Sequence, residues 1–236
     1  MNFQAHPHSN PIAHPRARRL FTFRLLAALF ASIPGVAAWN SSFASESNER
    51  RLPEDLIRSV TQDVLGAIRL DRSLQRGDLK RLNDLVDQRV MPVVDFARMT
   101  SLTVGVHWRR ASPEQQAALM AAFRELLLLT YSDTLRFVQD TNIQIRPPRY
   151  RPEDLDVTVQ TYFLLPGREP IQLDYRLHKT QSGWKVYDFN VLGLWMVDHY
   201  RVQFGQVVST KGIDGLVALL EGRNRSLREA WRARAS

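Results

Sequence analysis

LDVTVQTYFLLPGREPIQLDYRLHKTQSGWKVYDFNV, residues 155–191, contains three stretches in which apolar and polar side chains alternate. Alternation with a period of two is typical of strands that are buried on one face. Pro166-Gly167 and Gln181-Ser182-Gly183 separate the three stretches and are typical turn residues. The sequence therefore predicts three antiparallel strands in meander order, with a fourth strand before them at Ile143–Arg146.

Helices are predicted both before and after this sheet in the chain, in segments where apolar residues recur every three or four positions. Before the sheet they begin at Pro53, at Gly77-Asp78, near Pro92 and at Ser112. The last of these starts with Ser-Pro-Glu-Gln, a capping box with proline at the first helical position, and is predicted to run to about Gln139.

After the sheet, a helix is predicted to start near Trp195 or Met196 and to end at Gly212, with a short last helix capped by Asp214. Helices, then a meander, then helices predict an α+β fold. We expect a single domain in which helices pack on one face of a curved antiparallel meander sheet.

Residues 1–44 have the layout of a cleavable secretory signal. Arg16, Arg18 and Arg19 precede an apolar run, Leu20–Ala31, and small residues follow. We expect cleavage after Ala44, with Ala38 as the alternative. Arg18-Arg19-Leu20-Phe21 partly matches a twin-arginine signal, so the general secretory route and the twin-arginine route both stay open.

Charge divides the rest of the chain into two parts. Residues 45–221 are formally neutral, while 222–236 carry five arginines and one glutamate. A neutral domain argues against a nucleic-acid-binding face, which would concentrate basic charge on the folded part. The basic tail, 222–236, is predicted to be disordered, with contact to anionic lipid head groups as the alternative.

Few residues in the chain are suited to chemistry. There is no cysteine, and His107, His178 and His199 are isolated from one another, so no metal site is expected. No phosphate loop or hydrolase nucleophile motif is present. Asp188 lies in a predicted strand, where burial could make it a general base; the alternative is a structural carboxylate bound to a backbone N–H or to an arginine such as Arg201.

Apolar bulk is the remaining feature. Residues 185–208 alone contain a dense set of aromatic and aliphatic side chains, and Trp108 and Trp184 add to it. In a chain expected to be exported and soluble, this surface is either ordinary core or the lining of a site for an apolar ligand.

Several motifs resemble the MlaC family, the toluene-tolerance or ABC-transporter auxiliary proteins. The resemblance covers about residues 54–221 in consistent order. At position 195 this chain has tryptophan where the family pattern usually has serine, and we expect the bulkier side chain to narrow a cavity mouth or to alter a partner contact. The matching motifs are Trp184-Lys185-Val186-Tyr187-Asp188, Gly193, Tyr200-Arg201-Val202-Gln203-Phe204, Gly212-Ile213-Asp214-Gly215-Leu216, Asp95-Phe96-Ala97-Arg98-Met99-Thr100, Trp108, Ser112-Pro113-Glu114-Gln115 and Leu128-Leu129-Thr130-Tyr131.

The resemblance implies a periplasmic phospholipid carrier that helps to maintain outer-membrane lipid asymmetry. Such a protein holds the lipid tails in an apolar cavity between helices and sheet. It exchanges lipid with an outer-membrane lipoprotein complex and with the substrate-binding subunit of an inner-membrane ABC transporter. For this chain we therefore expect a monomer that is not an enzyme, binds no nucleic acid and has no cofactor besides its lipid cargo.

Helical and strand phase select ten residues as the expected lining of the tail cavity. Asp188, Arg201 and Gln203 match the family pattern and are interpreted as structural. A small isomerase-type enzyme with Asp188 as its base, and an adaptor without ligand, remain alternatives. The ten lining residues are Met99, Val104, Trp108, Phe123, Leu127, Tyr131, Val159, Leu173, Tyr175 and Val186.

Overall fold

The computed structural model describes residues 51–132 and 141–235. The predicted signal segment and the predicted end of the long helix near Gln139 lie outside these residues. A π-helical turn (Val86–Val90) and two 3₁₀ segments (Met91–Val93 and Gly105–Arg110) connect the helices that precede the sheet. These helices are α1 (Pro53–Leu70), α2 (Arg72–Gln75), α3 (Leu79–Leu85), α4 (Phe96–Val104) and α5 (Pro113–Tyr131).

Short polar side chains cap the starts of α2 to α5, whereas α1 has no side-chain cap. The Ser112 hydroxyl accepts from the Gln115 N–H, and the Gln115 side chain accepts from the Ser112 N–H, which confirms the predicted capping box. The helix predicted near Pro92 begins four residues later, so that prediction was wrong. Pro92 lies in a 3₁₀ turn, and it is the Asp95 carboxylate that caps the helix by accepting from the Arg98 N–H.

The sheet has five strands in the order β1-β2-β3-β4-β5, each antiparallel to its neighbours. The four predicted strands are confirmed, and a two-residue fifth strand was not predicted. A bulge on β4 leaves Tyr187 without an opposite residue on β3, because Arg176 pairs with Asp188 and Leu177 pairs with Val186. The strands are β1 (Asn142–Ile145), β2 (Asp156–Leu164), β3 (Ile171–Thr180), β4 (Gly183–Val191) and β5 (Leu194–Trp195).

Three apolar clusters hold the helices and the sheet together. The helical core joins α4, α5 and the two helices after the sheet, with Phe123 at its centre. The sheet core joins Leu56 and Ile57 of α1 to β2, β3 and β4. A third cluster joins α1 to α2 and α3. Val94 packs against both the helical core and the sheet core, so the described residues form one α+β domain, as predicted.

The last helical stretch, Met196–Ala235, is divided at Gly212, whose φ of 69° and ψ of −177° are not helical. We call its parts α6 (196–211) and α7 (213–235). The prediction that 222–236 is disordered was wrong as far as Ala235, because α7 continues through this segment. Asn224 and Trp231 are buried there, and Leu227 packs against the helical core. This burial offsets the conformational entropy that the segment loses when it becomes helical.

The buried face of α7 makes a stability prediction. Trp231 is 5% exposed, so a Trp231→Ala variant should lower the free energy of unfolding by about 3–5 kcal/mol. Urea denaturation measures this change. Arg232→Ala, an exposed neighbour on the same helix, serves as the control and should change it by no more than about 0.5 kcal/mol. Equal stability of Trp231→Ala and wild type would mean that α7 does not pack as described.

Candidate functional site

The sheet has one apolar face, and part of that face is only half-buried. Six side chains that share this face and this intermediate exposure form what we call the apolar band. They lie on three neighbouring strands, where the register pairs Phe163 with Ile171, Leu173 with Val191, and Tyr175 with Phe189. The band consists of Phe163, Ile171, Leu173, Tyr175, Phe189 and Val191.

Helices border the band on two sides. On one side is α1, whose Thr61 side chain hydrogen-bonds to the Tyr175 hydroxyl, while burial raises the pKa of that phenol. On the other side Tyr131 of α5 meets Phe189 edge to face, with ring centroids 6.0 Å apart. The Tyr131 hydroxyl also contacts the Met196 sulfur at 2.9 Å. The band therefore lies between the sheet core and the helical core.

The structure distributes the ten predicted lining residues over both cores. Six of them belong to the helical core or pack against it, three belong to the sheet core or pack against it, and Leu173 lies between the two on the band. Phe123 is fully buried between the rings of Tyr200 and Phe204. The helical-core six are Met99, Val104, Trp108, Phe123, Leu127 and Tyr131, and the sheet-core three are Val159, Tyr175 and Val186.

Four residues of the band were missed from the sequence. Phe163 and Ile171 have the same strand phase as Leu173, so simple alternation would have included them. Phe189 and Val191 were missed for a different reason. The bulge at Tyr187 shifts the phase of β4, so that Val186 and Phe189, three residues apart, face the same side.

Two small hollows flank α1. One, of about 180 Å³, lies between Glu54, residues 146–150 and residues 158–160 of β2. The other, of about 170 Å³, lies between α1 and the start of β1, beside Arg69 and Ile143. Sites for drug-sized molecules usually measure about 300–1,000 Å³. Neither hollow alone has room for a molecule of that size.

The opposite face of the sheet is polar, and Asp188 is its most buried acid, with 0% exposure. Its carboxylate accepts from the N–H groups of Phe189 (2.9 Å) and Val197 (3.0 Å) and from the Arg176 guanidinium (3.0 Å). Burial is the largest effect and raises its pKa above 3.8, against the opposing effect of these donors. The partner is Arg176 rather than the expected Arg201, which bonds to the Leu102 carbonyl instead.

These contacts give Asp188 a structural role. Its Val197 bond satisfies an N–H in the first turn of α6, which would otherwise lack a partner in the helix. Neither hollow reaches it. A general base needs an oxygen that can approach a substrate, and in this geometry both Asp188 oxygens are engaged with the protein.

Further contacts on the polar face tie the sheet to its neighbours. The Arg176 guanidinium stacks 3.9 Å from the centre of the Trp195 ring. Trp195, the residue that departs from the family pattern, therefore makes a cation–π contact with β3. Asp95, besides capping α4, lies 2.9 Å from the His178 imidazole on β3. The backbone N–H of Asp95 also donates to the Val186 carbonyl of β4 at 2.8 Å. Asp95, like Asp188, is bound to neighbouring elements.

Residues 51–132 and 141–235 contain no group of three or more His, Asp or Glu side chains that could hold a metal ion. None of the helices in this part of the chain is both long and apolar enough to cross a membrane.

The fold and the band define an α+β protein whose sheet offers an apolar surface next to its helices. The chain belongs to the MlaC protein family, because the family model matches residues 58–222, which is most of the chain.

Known relatives are similar over most of their own length. The chain is 23% identical over 172 residues to the intermembrane phospholipid transport system binding protein MlaC of Haemophilus influenzae, covering 72% of this chain and 80% of that one. It is 23% identical over 167 residues to the toluene tolerance protein ttg2D of Pseudomonas putida, covering 69% and 75%.

A solved structure resembles this one more closely. It is the phospholipid-binding protein from Ralstonia solanacearum, determined in complex with a phospholipid. The two chains are 39% identical, with a TM-score of 0.71, and the similarity covers 73% of this chain and 97% of that one.

The Asp188 carboxyl gives a pH dependence of defined sign. Because its pKa is raised on folding, the folded protein keeps this proton in a pH window above 3.8 where the unfolded chain has lost it. The stability of the wild type should therefore fall as pH rises through that window, relative to an Asp188→Asn variant that cannot titrate. Urea unfolding of both proteins between about pH 4 and pH 7 measures the difference. If wild type instead gains on the variant as pH rises, the hydrogen bonds outweigh burial.

Proposed function

We propose that the protein is a phospholipid carrier that holds lipid tails against the apolar band. The band is the observation that carries this proposal: six half-buried apolar side chains lie side by side on three strands, with α1 on one side and α5 on the other. Membership of the MlaC family and the 39% identity to a protein determined in complex with a phospholipid support it.

The chemistry of the band suits a lipid tail. Moving a methylene group out of water is worth about 0.8 kcal/mol, so a two-tailed lipid needs a continuous apolar surface and few specific polar contacts. Five of the six band residues carry no polar side-chain atom, and the hydroxyl of the sixth, Tyr175, is held by Thr61 on α1. The tails would therefore meet hydrocarbon and aromatic rings, while the head group stays near solvent.

The tails need more room than the two hollows provide. We infer that a bound lipid separates the helices from the sheet along the band, where the sheet core and the helical core meet. The two cores are distinct clusters, with Val94 packed against both. Parting them along this line would open space above Leu173 and would break contacts such as that of Tyr131 with Phe189, while the fully buried residues of each cluster stay packed.

The N-terminal sequence pattern supports a location in the periplasm. If 1–44 is removed as a secretory signal, the carrier acts there and moves phospholipid between two membranes. Its partners would be an outer-membrane lipoprotein complex and the substrate-binding subunit of an inner-membrane ABC transporter. This carrier would act as a monomer and would need neither metal nor nucleotide of its own.

Native mass spectrometry tests the carrier proposal directly. The protein is expressed with its N-terminal segment, purified from the periplasm and measured before and after extraction with organic solvent. A near-stoichiometric mass of a phospholipid that is lost on extraction is the expected result. Protein without lipid, which also takes up none from vesicles, would contradict the proposal.

Leu173→Arg is the variant that tests the band. Leu173 lies in the middle of the band, between Thr161 on β2 and Val191 on β4, so a guanidinium there would put a charge where a tail should lie. We expect lipid bound per protein to fall at least about ten-fold, a loss of roughly 1.4 kcal/mol, in protein that keeps its far-ultraviolet circular dichroism.

Gln172→Arg is the matched control. Gln172 is the preceding residue on the same strand, and its side chain lies on the polar face, where it bonds to Asp174. This variant should keep its lipid. Folded Leu173→Arg with an unchanged lipid content would exclude this part of the sheet as the tail site.

A further inference from the structure

Four exposed leucines lie at one end of the molecule, which we call the leucine end. The register brings the end of β4 next to the start of β3, the end of β2 and the start of β1. Leu164 ends β2, and Leu192 and Leu194 follow β4. Leu70 ends α1, where its neighbour Arg69 bonds to the Thr141 carbonyl, one residue before β1. Leu192 is 70% exposed and Leu70 is 89% exposed.

Leu192 occupies a position that does not favour leucine. Val191 pairs with Leu194, so Leu192 and Gly193 form a two-residue turn, and both have positive φ, 53° and 91°. Such a turn favours Asn, Asp or Gly at its first position, because a branched side chain is strained there. The fold gains little from a side chain that is mostly in solvent. Strain combined with exposed apolar surface points to contact with something outside the chain.

Arginines surround the same end. Hydrogen bonds join α5 to α7 at Gln115–Asp214, Ala122–Asn224 and Glu125–Arg228, separations of 99, 102 and 103 residues. The two helices are therefore parallel, and the separation between contacting residues grows by four along this stretch.

Continued to the end of α5, these contacts bring the part of α7 that contains Arg232 alongside Tyr131, whose hydroxyl contacts Met196 immediately after β5. Arg72 and Arg76 follow Leu70, and all three arginines are exposed. Glu169 and Glu229 are exposed acids in this region. The other acids here have partners: Asp71 is bound by Arg81 at 2.8 Å, Asp78 accepts from the Arg81 N–H, and Asp198 lies 3.6 Å from Arg176.

We propose that the leucine end docks on a lipid bilayer that contains anionic head groups. The leucines would enter the interfacial region, and the arginines would meet phosphate groups. Leu164 ends β2, Leu192 lies in the turn between β4 and β5, Leu194 lies in β5, and Leu70 ends α1. The four leucines therefore form a rim rather than one groove. A fluid, planar surface can contact every part of such a rim, which a single protein segment cannot.

The charge distribution supports this partner. Residues 45–221 are formally neutral, whereas 222–236 carry five arginines and one glutamate, and α7 holds these residues as far as Ala235 in a helix along α5. Ile171 and Val191 of the apolar band lie at the same end of the sheet, so docking would bring the band to the bilayer. Association with a bilayer can be measured whether or not the protein carries lipid.

Flotation of the purified protein with vesicles tests the proposal. Phosphatidylcholine vesicles with and without phosphatidylglycerol are compared at low and at physiological salt. We expect flotation with the anionic vesicles, weakened by salt. Leu192→Asn should lower vesicle affinity by at least about five-fold and raise Tm by about 2–4 °C through relief of the turn. Arg76→Gln and Arg232→Gln should each lower affinity about five-fold at low salt.

Leu155→Asn is the matched control, because Leu155 is 65% exposed but precedes β2 at the opposite end of the sheet. It should float like wild type. Absence of flotation with anionic vesicles would overturn the proposal, and so would an equal loss in Leu155→Asn. If vesicles fail to bind but native mass spectrometry finds phospholipid in the protein, the docking surface is excluded and the carrier function stands.

Discussion

An antiparallel sheet with one apolar face must have that face covered, and the rest of this structure depends on how the cover is divided. Leu56 and Ile57 of α1 cover the parts of β2, β3 and β4 that form the sheet core. The helical core reaches the sheet near Phe189 and Val191. Between these two covers the side chains around Leu173 stay half-buried. Burial of apolar area drives folding. These half-buried side chains therefore contribute less to the stability of the fold than they would if they were fully buried. A ligand that is itself apolar can supply the missing cover.

Two carboxylates, the fully buried Asp188 and the partly exposed Asp95, hold the helices of the helical core against the sheet. Asp95 joins α4 to β3 and β4 through its helix cap, its contact with His178 and its backbone bond to Val186. Asp188 joins β4 to the first turn of α6 through the N–H of Val197 and to β3 through Arg176. Each acid sits where a helix begins next to a strand, so its donors come from two elements at once. This arrangement lets the polar face fix the helix positions, while the apolar face needs no precise fit. A site that binds by area alone can then be less closely packed without loss of the fold.

Local patterns carried most of the fold. Alternation located the four long strands, and the Ser112 capping box located the start of α5, because both signals depend on neighbours in the chain. The two-residue β5 is too short to show a pattern. The helix α7 is folded because of contacts with residues about 100 positions away in the sequence, such as that of Asn224 with Ala122. Composition favoured disorder there because the segment contains many arginines and few apolar residues. Three of its side chains, Asn224, Leu227 and Trp231, pack against the rest of the fold. The ten expected lining residues remain a prediction, since phase identifies the buried face and does not separate core from ligand surface.

The phase shift in β4 explains why two of the six band residues, Phe189 and Val191, were not predicted from the sequence. Trp184 and Val186 follow one alternation, and Phe189 and Val191 follow the other, with Tyr187 as the extra residue. The bulge turns the Tyr187 hydroxyl to Asp156 on β2 and places its ring 4.2 Å below the Arg98 guanidinium, so the extra residue is held by polar contacts on the far side. In return, Phe189 and Val191 face Tyr175 and Leu173. Without the bulge, β4 would present Asp188 and Asn190 to the apolar face. The β4 part of the apolar band, Phe189 and Val191, therefore depends on the bulged residue Tyr187 being stabilised on the opposite face.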